Sequence, residues 1–130
     1  NVVLIVGKTT RGGYKTGSGF FVSNDRIVTN RHVTMGTLPD EIRVTSKALG
    51  QGLPARVVAV SAPDNVPPQD TSVQDLALLS VSAPPRNFLA LGPSPPKSTQ
   101  VVADGYPAFL VRMDADYKAF MNGNNRAAPD

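Results

Sequence analysis

The chain has 130 residues with 11 Gly, 12 Pro, 41% hydrophobic residues and no cysteine. This supports one compact unit, or one unit and part of another, built from many short elements joined by turns. The formal charge is +3, and the thirteen basic residues are scattered singly from Lys8 to Arg126, so no run makes a nucleic-acid footprint.

Further classes drop out on the same grounds. Without cysteine there is neither a disulfide nor a thiolate metal site, and one histidine leaves too few of the usual ligands for a zinc centre. No cofactor is implied. No apolar stretch approaches the ~20 residues of a membrane-spanning helix. Residues 1–6 lack the basic start and length of a secretory leader, so the sequence reads as mature or trimmed material.

Val2 to Val6 is a continuous apolar run that predicts a buried strand, followed by a polar loop over residues 8–15. Next, Phe20-Phe21-Val22, the turn Ser23-Asn24-Asp25-Arg26 and Ile27-Val28-Thr29 read as a β-hairpin, with Asn and Asp supplying the turn. His32, the only histidine, sits where that second strand stops, a place where a side chain is rigidly held and still meets solvent. Residues 33–36 suit one helical turn before Pro39 stops it.

The pattern then returns to strands. Residues 42–45 alternate apolar and polar, residues 55–60 form another strand, and residues 64–74, with Pro67-Pro68 in the middle, are a surface loop. Leu76 to Val81 is the most apolar strand. Six strands by Val81 are the pattern of a small antiparallel barrel or sandwich. Residues 83–97 hold five prolines and read as an irregular linker, residues 100–104 as a lone strand, and residues 114–121 as a short helix. Asp114 is that helix's N-cap and Gly123 its stop.

Gly17-Ser18-Gly19-Phe20 followed by Ile27-Val28-Thr29-Asn30-Arg31-His32-Val33 resembles the signature around the catalytic histidine of trypsin-like (chymotrypsin-fold) serine peptidases, especially the bacterial high-temperature-requirement type. Gln74-Asp75-Leu76-Ala77-Leu78-Leu79 resembles the family's segment that holds the triad aspartate, 43 positions on and in the family's order. Gly105-Tyr106-Pro107 is a weaker likeness to the start of the second barrel. The resemblance implies an all-β fold, an antiparallel six-stranded β-barrel as the first of two barrels, plus the start of the second. On that reading residues 1–98 are the barrel and residues 99–130 the first strand and following segment of an incomplete second one.

The same resemblance implies His32 as general base and acid and Asp75 as the carboxylate that fixes its tautomer. Asp64 and Asp70 are rival carboxylates in the neighbouring loop, but only Asp75 is followed directly by the apolar strand. Gly17 and Gly19 relieve strain at the hairpin start, as strand glycines usually do, or Gly19 lets the backbone approach a nucleophile loop closely. The family's Gly-Asp-Ser-Gly-Gly or Gly-Asn-Ser-Gly-Gly motif does not occur in the 130 residues, so the expected chain is the amino-terminal part of a serine endopeptidase, inactive alone.

Its expected partners are a protein or peptide substrate and a carboxy-terminal half or companion chain carrying the serine, with no nucleic acid and no membrane span. Self-association through the unpaired strand at 100–104 is also expected, because the face of Tyr117, Phe120 and Met121 has no evident partner. By analogy with bacterial relatives the location is extracytoplasmic. The alternative is a non-catalytic, protein-binding β-barrel that has kept the framework and lost the second half.

Overall fold

A computed structural model describes residues 1–83 and 87–129 of the chain. Six strands, β1 (Val2–Thr9), β2 (Tyr14–Phe21), β3 (Arg26–Thr29), β4 (Thr37–Thr45), β5 (Leu53–Val60) and β6 (Ala77–Val81), close into an antiparallel barrel in the order β1-β2-β3-β6-β5-β4. Closure pairs every strand on both sides and leaves no open edge in the barrel. This is the all-β, six-stranded antiparallel barrel that the family resemblance implies, and of the two architectures the strand pattern left open, barrel or sandwich, it is the barrel.

The strands run longer than the hydrophobic pattern suggests. The expected loop at 8–15 is the end of β1, a tight turn and the start of β2, with Lys8 paired to Tyr14. Ladder hydrogen bonds are indifferent to side-chain polarity, so these polar residues extend the hairpin. Gly12, with φ +88°, supplies the left-handed residue that the turn requires. Pro39 lies inside β4 and does not precede it. It is tolerated between Ile42 and Thr37, where the register with β1 slips.

Alternation sends Val3 and Ile5, Phe21, Ile27, Ile42 and Val44, Leu53 and Ala55, Leu79 and Val81 into the barrel, where they form one buried cluster. Val33 joins them from α1 (Arg31–Thr34), the single turn that follows β3 and plugs the barrel end. Gly17 faces this plug: a Cβ there would lie 2.4 Å from a Val33 methyl group. Gly19 is also crowded, with a Cβ there 2.8 Å from side-chain carbons of Ile5 and Ile27. Both glycines make room in the packed interior, which is neither backbone strain relief nor an approach to another loop.

The outer face of β1 is buried too. Leu4 and Val6 pack against Val111 of α2 (Ala108–Met113), Phe120 of α3 (Ala115–Met121) and Ala127. Tyr117 and Met121 lie at the margin of this cluster, so the face expected to lack a partner is covered by the chain's own barrel. Asp114 caps α3 by accepting from the Tyr117 N–H at 2.9 Å, and Gly123, at φ +99°, ends it, as the sequence suggests. Asn125 clasps the barrel through two bonds to the Gly52 backbone, of 2.6 and 3.0 Å.

Two expectations change. Residues 100–104 are not a strand, because no neighbouring chain among the described residues offers them a ladder, and Val101 and Val102 stand 71% and 93% exposed. The edge on which self-association was expected is therefore not formed. In the linker 83–97, residues 84–86 lie outside the described residues and 87–97 carry no helix or strand. No helix among the described residues is long and apolar enough to cross a membrane.

Phe120 is 3% exposed and lies under the guanidinium of Arg43, 4.9 Å from the ring centre. Phe120→Ala should lower stability by about 3 kcal/mol, the usual cost of emptying a buried aromatic site. Urea unfolding followed by circular dichroism measures this, and a change under about 1 kcal/mol would mean that α3 contributes little to the packing.

Candidate active site

β3 and β6 are neighbours, with Thr29 opposite Ala77. That register brings the residues just after Thr29 to the same barrel end as those just before Ala77. His32, one residue into α1, and Asp75, two residues ahead of β6, consequently meet across 43 positions of sequence.

The contact is two-pronged. The His32 ring Nδ1 lies 2.5 Å from Asp75 Oδ2, and the His32 backbone N–H donates to Oδ1 at 2.8 Å. Burial pulls the Asp75 carboxyl up, but the hydrogen bonds from the His32 ring and backbone, with the positive charge of His32 and Arg31, outweigh it. They hold the group below its ordinary 3.8. With Asp75 ionised, the short bond requires the proton on Nδ1, which leaves Nε2, on the far edge of the ring, as the basic nitrogen. The His32 side chain is 53% exposed and that of Asp75 32%, so the acid is screened while the base meets solvent.

Other side chains fix the two backbones. Asn30 Nδ2 donates to the Asp75 carbonyl at 3.0 Å. Ser61, just past β5, donates its hydroxyl to the Gln74 carbonyl and accepts from the Leu76 N–H at 3.0 Å, so the residues on both sides of Asp75 are pinned. Lys15 Nζ donates to the carbonyls of His32 and Met35, at 3.1 and 2.7 Å, and so satisfies the C-terminal end of the α1 turn. Sequence reasoning missed Ser61 and Lys15. Nothing in their local context distinguishes a serine after a strand or a lysine in a hairpin from any other.

The rival carboxylates are engaged elsewhere. Asp70 accepts from the N–H and hydroxyl of Ser72, and Asp64 accepts from the Gly36 N–H at 3.1 Å. Ser18, although flanked by glycines, accepts from the Tyr106 N–H at 2.7 Å and thereby ties the crossing segment to β2. Among the described residues no serine hydroxyl is hydrogen-bonded to the His32 ring. A cavity of about 230 Å³ adjoins the pair, lined by Asn30, Leu76, Ser18 and Asp104 among others. A roomier one of about 610 Å³ lies at the opposite end of β3 and β6, around Arg26 and Ser80, and contains none of these groups.

What this arrangement can do follows from its parts: an exposed imidazole nitrogen can take a proton from a bound hydroxyl, and a clamped carboxylate stabilises the imidazolium that results. The model of a family described as Trypsin-like peptidase domain matches residues 17–127. The chain has no match among curated proteins.

Two outcomes test the geometry. In Gly17→Ala the new methyl collides with Val33, and melting should report a loss of about 1–3 kcal/mol, typical of overpacking, together with displacement of the α1 turn. For Asp75, whose carboxyl is lowered in the fold, the stabilisation is complete above the ordinary value of 3.8 and is lost as pH falls through the lower folded value. The melting temperature of the wild-type chain should thus fall more steeply below about pH 3.8 than that of Asp75→Asn. Parallel acid limbs in the two proteins would mean that the pair does not stabilise the fold.

Proposed function

Because the chain belongs to the trypsin-like peptidase domain family, we propose that it supplies the general base, His32, and the orienting acid, Asp75, of a serine endopeptidase. The serine is contributed by residues outside this sequence or by a companion chain. The single observation that supports this reading is the bidentate contact of the His32 ring and backbone N–H groups with Asp75.

In the proposed reaction the serine hydroxyl attacks the scissile carbonyl carbon as its proton passes to His32 Nε2. The positive charge that forms on the ring is stabilised through Nδ1–H by Asp75. Nε2 then returns the proton to the departing amine, the C–N bond breaks, and an acyl-serine is left for water to hydrolyse by the same relay. Residues 99–130 lead into the unit that carries the serine and its oxyanion-binding N–H groups, so the 130 residues alone do not hydrolyse peptides. Asn30-Arg31 ahead of the histidine favours the bacterial high-temperature-requirement branch, and a location outside the cytoplasm is proposed by analogy with that branch.

A second reading, a barrel that binds protein partners without catalysis, draws on the exposed Val101, Val102, Phe109, Leu110 and Met113. The two separate on one experiment. A fluorophosphonate probe applied to the native parent assembly should label a serine, and His32→Ala should abolish labelling. Asp75→Asn should cut peptide hydrolysis by about ten-thousand-fold, the usual effect on a triad of this kind. Labelling and turnover that survive His32→Ala would remove the peptidase reading of the pair.

A further inference from the structure

The residue before His32 is a cation with no access to water. Arg31 is 0% exposed and is the largest of the fully buried side chains. Taking a guanidinium out of water costs several kcal/mol unless its N–H groups are satisfied. Among the described residues no carboxylate lies within ion-pair distance of it. Instead Nη1 donates to the carbonyls of Pro63 and Val66 at 2.9 and 3.0 Å, and Nη2 to those of Val66 and Pro67 at 3.1 and 3.4 Å. Nε is buried without a partner, so the side chain is placed to grip these carbonyls at some cost to itself.

Those carbonyls begin the loop that ends in Asp75, and the loop is stitched from that point onward. The Pro67 carbonyl also accepts from the Asp70 N–H at 3.1 Å, the Asp70 carboxylate accepts from Ser72, and the Asp70 carbonyl accepts from Val73. Ser61 then holds Gln74 and Leu76. A loop this long, with little regular structure and two adjacent prolines, has no intrinsic reason to deliver its last residue to one spot. Arg31 supplies the fixed point, and its own backbone starts the turn that presents His32.

Resting on the reading of His32 and Asp75 as base and orienting acid, we infer that Arg31 is a positioning residue. Its buried guanidinium docks residues 63–67 onto the α1 turn, so that Asp75 arrives in register to accept both N–H groups of His32. The planar fork matters as much as the charge, because one ammonium cannot span three carbonyls spread along a bend. The charge contributes as well, since the field of Arg31 helps to hold both Asp70 and Asp75 ionised.

The test uses the full chain with Arg31→Lys and Arg31→Met, read by NMR hydrogen exchange and by the low-field ring N–H signal of His32, which is unambiguous because the chain has one histidine. In Arg31→Met the His32 amide should lose protection by about ten-fold or more, as a local opening, while the barrel amides of Ile5 and Val44 keep theirs. The ring signal should broaden away. Arg31→Lys should show a smaller loss of the same kind, and it decides the matter if the methionine variant does not fold. Unchanged His32 protection and ring signal, or an equal loss across His32 and the barrel, would overturn the inference. None of these readings needs hydrolysis, so they stand or fall separately from the peptidase assignment.

Discussion

One carboxylate that accepts two N–H bonds from a single histidine is the contact on which the barrel mouth depends. The ring bond restrains the imidazole and sets its tautomer, whereas the backbone bond ties the carboxylate to the α1 turn, and neither does both. Together they fix the position of the α1 turn, the orientation of the ring and the nitrogen that carries the proton. Asp75 must be ionised for this, and the two hydrogen bonds that it accepts are also the principal reason it stays so despite partial burial. Position and charge state are thus set by the same contacts.

That contact is formed at a distance of 43 residues, and the barrel is what shortens it. β3 and β6 lie side by side because the sheet closes in the order β1-β2-β3-β6-β5-β4, with the start of the long β5–β6 loop held to the α1 turn by Arg31. Interior packing carries the constraint to the site. Val33, next to His32, is part of the buried cluster, and Gly17 leaves it the space to be so. A methyl group's worth of error in the interior is therefore felt at the histidine, since packed interiors transmit small displacements.

β1 joins this mouth to the rest of the chain. Val3 and Ile5 face the interior, while Leu4 and Val6 face α2 and α3, so one strand is buried on both sides. This explains why its sequence is a continuous apolar run with no alternation. It also explains why residues beyond the linker pack onto the barrel: the outer face of β1 offers the apolar surface that Phe120 and Val111 require.

Read by itself, the sequence determined the elements whose signal is local. Hydrophobic runs bounded by turn residues marked the six strands, Asp114 and Gly123 marked the last helix, and the apolar strand after Asp75 singled it out from Asp64 and Asp70. The missed features are those whose partners are remote. Lys15 and Ser61 act by holding carbonyls 17 and 13 positions away, the polar ends of β1 and β2 pair by backbone bonds that leave no side-chain pattern, and α2 forms at residues without a helical cap signal. Residues 100–104 show the converse: they read as a strand, but a strand exists only where another offers its N–H and C=O groups. Whether a polar residue is a solvated surface group or the clamp behind the His32–Asp75 pair is decided by what closure of the chain places within 3 Å of it, and one-dimensional spacing does not carry that distance.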